Sequence, residues 1–365
     1  MSSSIHAIDA VSIHRISSGQ VVTDLSTAVK ELLENSLDAG ATNIEVRFKE
    51  HGTESIEVID NGSGIAPEDY DALGLKHHTS KLETFEGLSS VSTFGFRGEA
   101  LSSLCALCES ITVTTATSST SPMGTILQLD RNGRAINRSG KVARQRGTTV
   151  LVSGLFKNLP VRRKELEKNA KREYGKALNL LTAYALVPCA NENQGVRMTC
   201  TNIVGGRKSG AIRTDGSPSI RASVSALWGP KVLENVVDLD FTFEVETDKS
   251  VVRRQTFLGK NNISSQTVRV RGLVSKFSVG GGRSGTDRQF FYVNGRPCTP
   301  TKAGIVQKAF NEIYRTFNAN QSPFIVADFI IPKDCLDINV SPDKRTIFIH
   351  SEGNLIQSLR VRSHS

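Results

Sequence analysis

Apolar and polar positions change period along the chain, and each change marks an element. From residues 30 to 41 the period is helical. Val29, Leu32, Leu33 and Leu37 supply the apolar side, Asp24 or Ser26 can cap the start, and Gly40 stops the run. Alternation over residues 43–49 and again over 55–59 predicts two strands, the second ending in the loop of Asp60 to Gly64. A helix is expected from Pro67, with proline in its first turn. Residues 76–98 have little period and are rich in Ser, Thr, Gly and charge, which marks a functional lid. A helix over 99–107, three or four strands between 110 and 155, one long helix over 161–186 and strands near 196–203 and 208–213 complete a first domain. The N-terminal 20 residues read as an irregular arm with a short helix.

Turn residues cluster at 214–218, so the boundary is set there: a first domain over 1–215 and a second over 216–365. The second domain carries strands near 236–245, 267–277, 289–293, 324–331 and 337–340. It also carries a helix over 301–317, with loops at 259–265 and 280–285.

Composition narrows the class. The 365 residues are 38% hydrophobic and 22% charged, with no run of eighteen apolar residues that could span a membrane. The N-terminus lacks the basic-then-apolar layout of a signal peptide. The six cysteines are scattered, and Cys105 and Cys108 form a lone C-x-x-C inside an apolar helical run, read as buried thiols in a reducing compartment. The net charge of +9 points to an anionic partner, nucleic acid before membrane.

Four stretches carry candidate chemistry. Glu31, Asn35 and Asp38 fall at i, i+4 and i+7, one polar stripe on the first long helix. An amide oxygen there suits Mg²⁺, and a carboxylate suits taking a proton from water. A solvated amphipathic face would give the same stripe. In Asp60, Gly62 and Gly64 the glycines allow close backbone approach to a flat ligand, and Asp60 can accept from an exocyclic amine. Residues 95–101, G-F-R-G-E-A-L, run two glycines into a helix start, an anion site. Gly147 to Thr149 opens a strand with hydroxyls that can support Asp60 directly or through water. The P-loop pattern is absent, as is a G-x-G-x-x-G after an early strand.

In this order, E-L-L-E-N-S-L-D-A-G-A, D-N-G-S-G-I, H-T-S-K, G-F-R-G-E-A-L and G-T-T resemble the superfamily that unites DNA gyrase, the large heat-shock chaperone, sensor histidine kinases and MutL. The first and fourth are similar to the MutL branch, as are F-Y-V-N-G-R-P-C (291–298) and D-I-N-V-S-P-D-K-R (337–345). The wording L-K-H-H-T-S-K, L-S-S-L-C-A-L and S-P-D-K-R is similar to the eukaryotic postmeiotic-segregation branch.

That resemblance implies an α/β fold: a layered sandwich ATPase domain with a mixed, mostly antiparallel sheet and helices on one face. An α/β transducer domain like the second domain of ribosomal protein S-five would follow. It implies an ATPase of DNA mismatch repair that uses Mg²⁺ and ATP in the nucleus, with double-stranded DNA, a second MutL-type subunit and MutS-type proteins as partners. Glu31 would be the general base and Asn35 the Mg²⁺ ligand. Asp60 would recognise adenine with Thr149 in support, beside Gly62 and Gly64. Thr79, Ser80 and Lys81 would belong to the lid. Gly95, Phe96, Arg97, Gly98, Glu99, Ala100 and Leu101 would cradle the phosphates, and Lys344 would reach the γ-phosphate. Arg162, Arg163, Arg296, Lys302 and Lys308 are candidates for DNA. The chain is expected to be an N-terminal fragment without the family's nuclease activity. Competing readings are a nucleotide-gated DNA clamp with little turnover, a type II topoisomerase ATPase subunit and, last, a histidine kinase.

Overall fold

The computed structural model describes residues 9–79, 81, 93–95, 98–191, 194–246, 265–278, 280–298 and 304–331. Its packing divides the chain into two units, Met1–Thr182 with Glu192–Pro218, and Ala183–Asn191 with Ser219–Ser365.

In the first unit, α1 (Ala10–Val21) is capped by Asp9, and α2 (Leu25–Asp38) by Asp24. The Asp24 carboxylate accepts from Thr27 N at 2.7 Å, so Asp24 and not Ser26 starts the helix. Gly40, at φ 68°, ends it in a conformation that favours glycine. Strands β1 (Asn43–Lys49), β2 (Ser55–Asp60), β3 (Ser110–Ala116), β4 (Met123–Leu129), β5 (Ala135–Ala143), β6 (Gly147–Ser153), β7 (Arg197–Val204) and β8 (Arg207–Arg213) form one sheet, ordered β8-β7-β1-β2-β6-β3-β4-β5. The β1–β7 pair is parallel and all the others are antiparallel.

Alternation decides which face is covered. Ile44, Val46, Phe48, Ile56, Val58, Met198 and Cys200 are buried, together with Leu25, Ala28, Val29, Leu32 and Leu33 of α2. The opposite face carries charge: Arg47 bonds Glu45 at 2.8 Å and Glu57 at 3.1 Å. Helices therefore lie on one face of a mixed, mostly antiparallel sheet. Helix α2 packs on β2 and on α3 (Ala100–Leu107), and α1 packs on α3.

Two expected helices differ. The one from Pro67 is a single 3-10 turn, Pro67–Asp69. Gly74 follows, against the backbone of Gly133 with no room for a side chain, which fixes the chain there as a turn. The long helix is two, α4 (Pro160–Lys168) and α5 (Ala170–Leu186). Asn169 leaves helical geometry at φ −110°, ψ 20°, and its side chain donates to Glu165 O at 3.1 Å, capping the first of them.

In the second unit, α6 (Ile220–Trp228) was not foreseen, although Ser219 caps it and Gly229 ends it. Strands β9 (Val236–Glu246), β10 (Ser265–Ser275), β11 (Gln289–Val293), β12 (Arg296–Cys298) and β13 (Ile325–Ile330) are ordered β9-β10-β13-β11-β12, with β13–β11 parallel. Both faces are buried. Phe291, Val270 and Phe329 pack with Val306 and Phe310 of α7 (Gly304–Arg315), while Tyr292, Leu273 and Val326 pack with Val224 and Leu186. Two-sided burial explains why β13 reads as a nearly continuous apolar run. The strand expected over 337–340 lies outside the described residues.

Candidate active site

Helix α2 and strand β2 end side by side, and the buried Asp60 carboxylate joins them. Gly62 N–H donates to its Oδ1 at 2.8 Å and Thr148 N–H at 3.1 Å, and Ser36 Oγ donates to its Oδ2 at 2.9 Å. An ionised carboxylate has about four acceptor positions. Three are filled, and the open one is on Oδ2, free for one more N–H donor. Burial raises the Asp60 pKa, opposed by the Gly62 N–H, the Ser36 hydroxyl, the Thr148 N–H and the Arg144 charge.

Thr148 reaches Asp60 because β6 begins with Gly147. A Cβ there would lie 2.1 Å from the Asp60 carbonyl oxygen, and φ is +133°. Thr149 was the expected support, and it makes no direct contact with this carboxylate. Successive strand residues face opposite ways, so the Thr149 hydroxyl accepts from Arg144 Nη1 at 2.7 Å instead. The same guanidinium donates to Gly147 O at 3.2 Å and Asp60 O at 3.3 Å. A Cβ on Gly64 would meet Ala116 O at 2.1 Å, and one on Gly62 would meet the Ala39 Cβ at 2.8 Å, so protein packing alone already requires glycine at both.

The polar stripe of α2 stands beside this carboxylate. The Glu31 side chain is 21% exposed, and its Oε1 accepts from Lys30 Nζ at 2.8 Å. Asn35 is exposed, and its Oδ1 accepts from Lys81 Nζ at 3.0 Å. Asp38, which the residue assignments above passed over, is a hub. Its Oδ2 accepts from Lys81 Nζ at 2.6 Å and Gly95 N at 3.0 Å, and its Oδ1 from Phe94 N at 2.8 Å. Its place in the i, i+7 stripe was the available signal. Thr79 Oγ1 accepts from Lys81 N at 3.1 Å. Ser80, Phe96, Arg97, Lys302 and Lys344 lie outside the described residues.

Helix α3 starts just after Gly98, at φ +61°, where a Cβ would lie 2.3 Å from His78 O. Glu99 occupies the cap position without a side-chain cap bond, so the N–H groups of Ala100 and Leu101 point out of an uncapped helix start. His14 Nε2 lies 3.1 Å from Ser102 Oγ, which ties α1 to this helix. Cys105 and Cys108 are buried free thiols. Burial pushes Cys105 up to about 12 and Cys108 higher, as expected of inert thiols.

Among the described residues no three His, Cys, Asp or Glu side chains gather as a metal cage. The donor set still suits Mg²⁺, which takes one or two protein oxygens and keeps water and phosphate for the rest. An ammonium already rests on Asn35 Oδ1, so that oxygen attracts a cation. Among the DNA candidates, Arg163 is committed inside the first unit, to Glu167 at 2.6 Å and Thr53 O at 2.7 Å. Arg162 lies over the Phe156 ring at 5.6 Å. Lys308 is exposed, 4.0 Å from Glu312, and Arg296 is partly buried in β12.

Two family models match: a histidine kinase-, DNA gyrase B- and HSP90-like ATPase over residues 22–149, and the C-terminal domain of a DNA mismatch repair protein over 250–364. Mismatch repair endonuclease PMS2 of Gallus gallus is 46% identical over 98% of this chain. A solved N-terminal domain of a DNA repair protein is 40% identical, covers 96% of each chain and has a TM-score of 0.79. The chain belongs to the MutL-type DNA mismatch-repair family. It spans about 40% of the length of the chicken family member. The Aquifex aeolicus MutL ATPase domain complexed with ADP, 22% identical at a TM-score of 0.50 over 86% of this chain and 93% of its own, shares the fold. Within that family the ATPase match covers Glu31, Asn35, Asp60 and Thr149, and the topoisomerase and kinase readings fall away.

Proposed function

We propose that this chain binds ATP with Mg²⁺ and hydrolyses it to ADP and phosphate, as the ATPase part of a nuclear mismatch-repair protein. The observation that carries this is the Asp60 carboxylate, buried, held by three donors and left with one acceptor position. That position fits the adenine amine. The uncapped start of α3 offers backbone N–H groups suited to phosphates, and the stretch 95–101 is assigned to them. The Aquifex relative, by its name, holds ADP.

The reaction needs little covalent work from protein. Water attacks the γ-phosphorus, the bond to the β,γ-bridging oxygen breaks, ADP leaves and Glu31 takes a proton from the water. Asn35 would hold magnesium, which on binding neutralises charge on the phosphate oxygens. Lys81 would then give up Asn35, and its ammonium would stay beside the site on Asp38 Oδ2. Lys344 is assigned to the γ-phosphate. ATP would control closure with a second MutL-type subunit, and the chain would meet double-stranded DNA and MutS-type proteins, with Arg296, Lys302 and Lys308 among its DNA contacts.

Equilibrium titration of ATP and GTP against wild type and Asp60→Asn tests the assignment. Asp60→Asn is expected to weaken ATP far more than GTP, since an unmatched buried polar group costs about 1–3 kcal/mol. Equal losses for both nucleotides would remove Asp60 from the base site.

A further inference from the structure

Lys30 precedes the polar stripe of α2, and nothing in the hydrolysis above uses it. Its side chain is 8% exposed, and its ammonium touches two carboxylates, Glu31 Oε1 at 2.8 Å and Glu34 Oε2 at 2.9 Å. The plain explanation is an i, i+4 ion pair, which on a helix surface contributes about 0.3–0.5 kcal/mol. Burial argues against it. Glu34 is also 8% exposed, and moving each ion out of water costs several kcal/mol, so such a cluster is a poor device for stability alone. Burial by itself would depress the Lys30 pKa, but the Glu34 and Glu31 carboxylates outweigh it and raise the value, so the ammonium stays charged.

The two carboxylates differ. Glu34 is sealed in, whereas the Glu31 side chain keeps 21% exposure and its Oε2 takes no part in the lysine contact. We propose that Lys30, anchored by Glu34, is a positioning residue that holds Glu31 by Oε1 and leaves Oε2 as the oxygen that accepts the proton of the attacking water. This rests on Glu31 being the general base. A glutamate left to itself samples several rotamers, and a base is effective only when held within hydrogen-bond reach of its proton. Lys30 removes that freedom at the start of the reaction rather than during it.

The test compares ATP affinity by equilibrium titration with phosphate release at saturating ATP. Lys30→Met alone takes the ammonium away from the buried Glu34 charge and can unfold the chain, so the deciding variant is Lys30→Met/Glu34→Gln, which removes both buried charges together. Melting temperature confirms that it is folded. The expected result is an ATP affinity near wild type with kcat lowered about tenfold or more, a share of the roughly 10²–10⁴ that a general base supplies. Lys30→Arg, which keeps both charges, should recover most of the rate. Wild-type kcat in the double variant would overturn the proposal. So would a loss of affinity as large as the loss of kcat, which marks a structural part, or a Lys30→Arg rate no better than that of the double variant. Glu31→Ala, measured alongside, separates two kinds of failure. Wild-type turnover in Glu31→Ala removes the base itself, whereas an inactive Glu31→Ala beside a fully active double variant removes only the role of Lys30.

Discussion

Asp60 is costly to bury and is kept ionisable by its donors. Its pKa is raised above the ordinary 3.8 by burial, against the Gly62, Ser36 and Thr148 donors. A raised carboxylate favours the fold below its unfolded value and loses that contribution as pH rises through the folded one. The stability of wild type relative to Asp60→Asn should therefore fall as pH rises from about 4 toward neutrality. Paired melting curves across that range check this, and a difference flat in pH would mean Asp60 does not titrate there. Among the described residues, Ser36 is the donor that holds Oδ2. Ser36→Ala should destabilise the fold by about 1–3 kcal/mol in urea, because the buried carboxylate loses a partner. An unchanged urea midpoint would show that the Ser36 bond contributes nothing.

At the scale of elements, two joints position the site. The first is the start of β6, where Gly147 touches the Asp60 carbonyl. Gly147→Ala adds a Cβ at a strained φ, a cost of about 1–3 kcal/mol. The added Cβ should also move Thr148 N–H off Asp60, lowering both melting temperature and ATP affinity. Retained affinity would place Thr148 outside the site. The second joint is α1 on α3, through His14. Burial and then Lys76 lower the His14 pKa below 6.5. Stability of that docking is present above 6.5 and is lost as pH falls through the lower folded value. Proteolysis within α1 should rise between pH 7.5 and 5.5 in wild type and lose that dependence in His14→Gln. These joints also show what was legible in the sequence. Period gave α2, its stripe and most strands, because each buries one face. It gave neither the break at Asn169, where a side chain competes with the helix backbone, nor the Thr148 N–H as a direct donor to Asp60, which is decided only once the strand's partners are known. Nor did it show that Ala116 and Ala39 crowd Gly64 and Gly62, which packing alone then restricts to glycine.

Over the whole molecule, a net charge of +9 needs an anionic partner or only solvent. Arg163 and Arg162 are engaged inside the first unit, so charge reversal at Lys308 and Lys302 should weaken DNA binding more than reversal at Arg163, which should chiefly destabilise. Log affinity for duplex DNA should fall with log salt, by a slope of about 0.9 for each phosphate neutralised. Binding insensitive to salt would return the charge to solubility.

Phosphate release at saturating Mg²⁺ and ATP, wild type against Glu31→Ala, with ATP binding titrated on the same samples, is the most direct measurement. Asp60, Asn35 and the start of α3 are untouched in the variant, so it should bind ATP as wild type does and lose about 10²–10⁴ in turnover. A variant that binds ATP and still releases phosphate at the wild-type rate would contradict the assignment of this helix as the hydrolytic element.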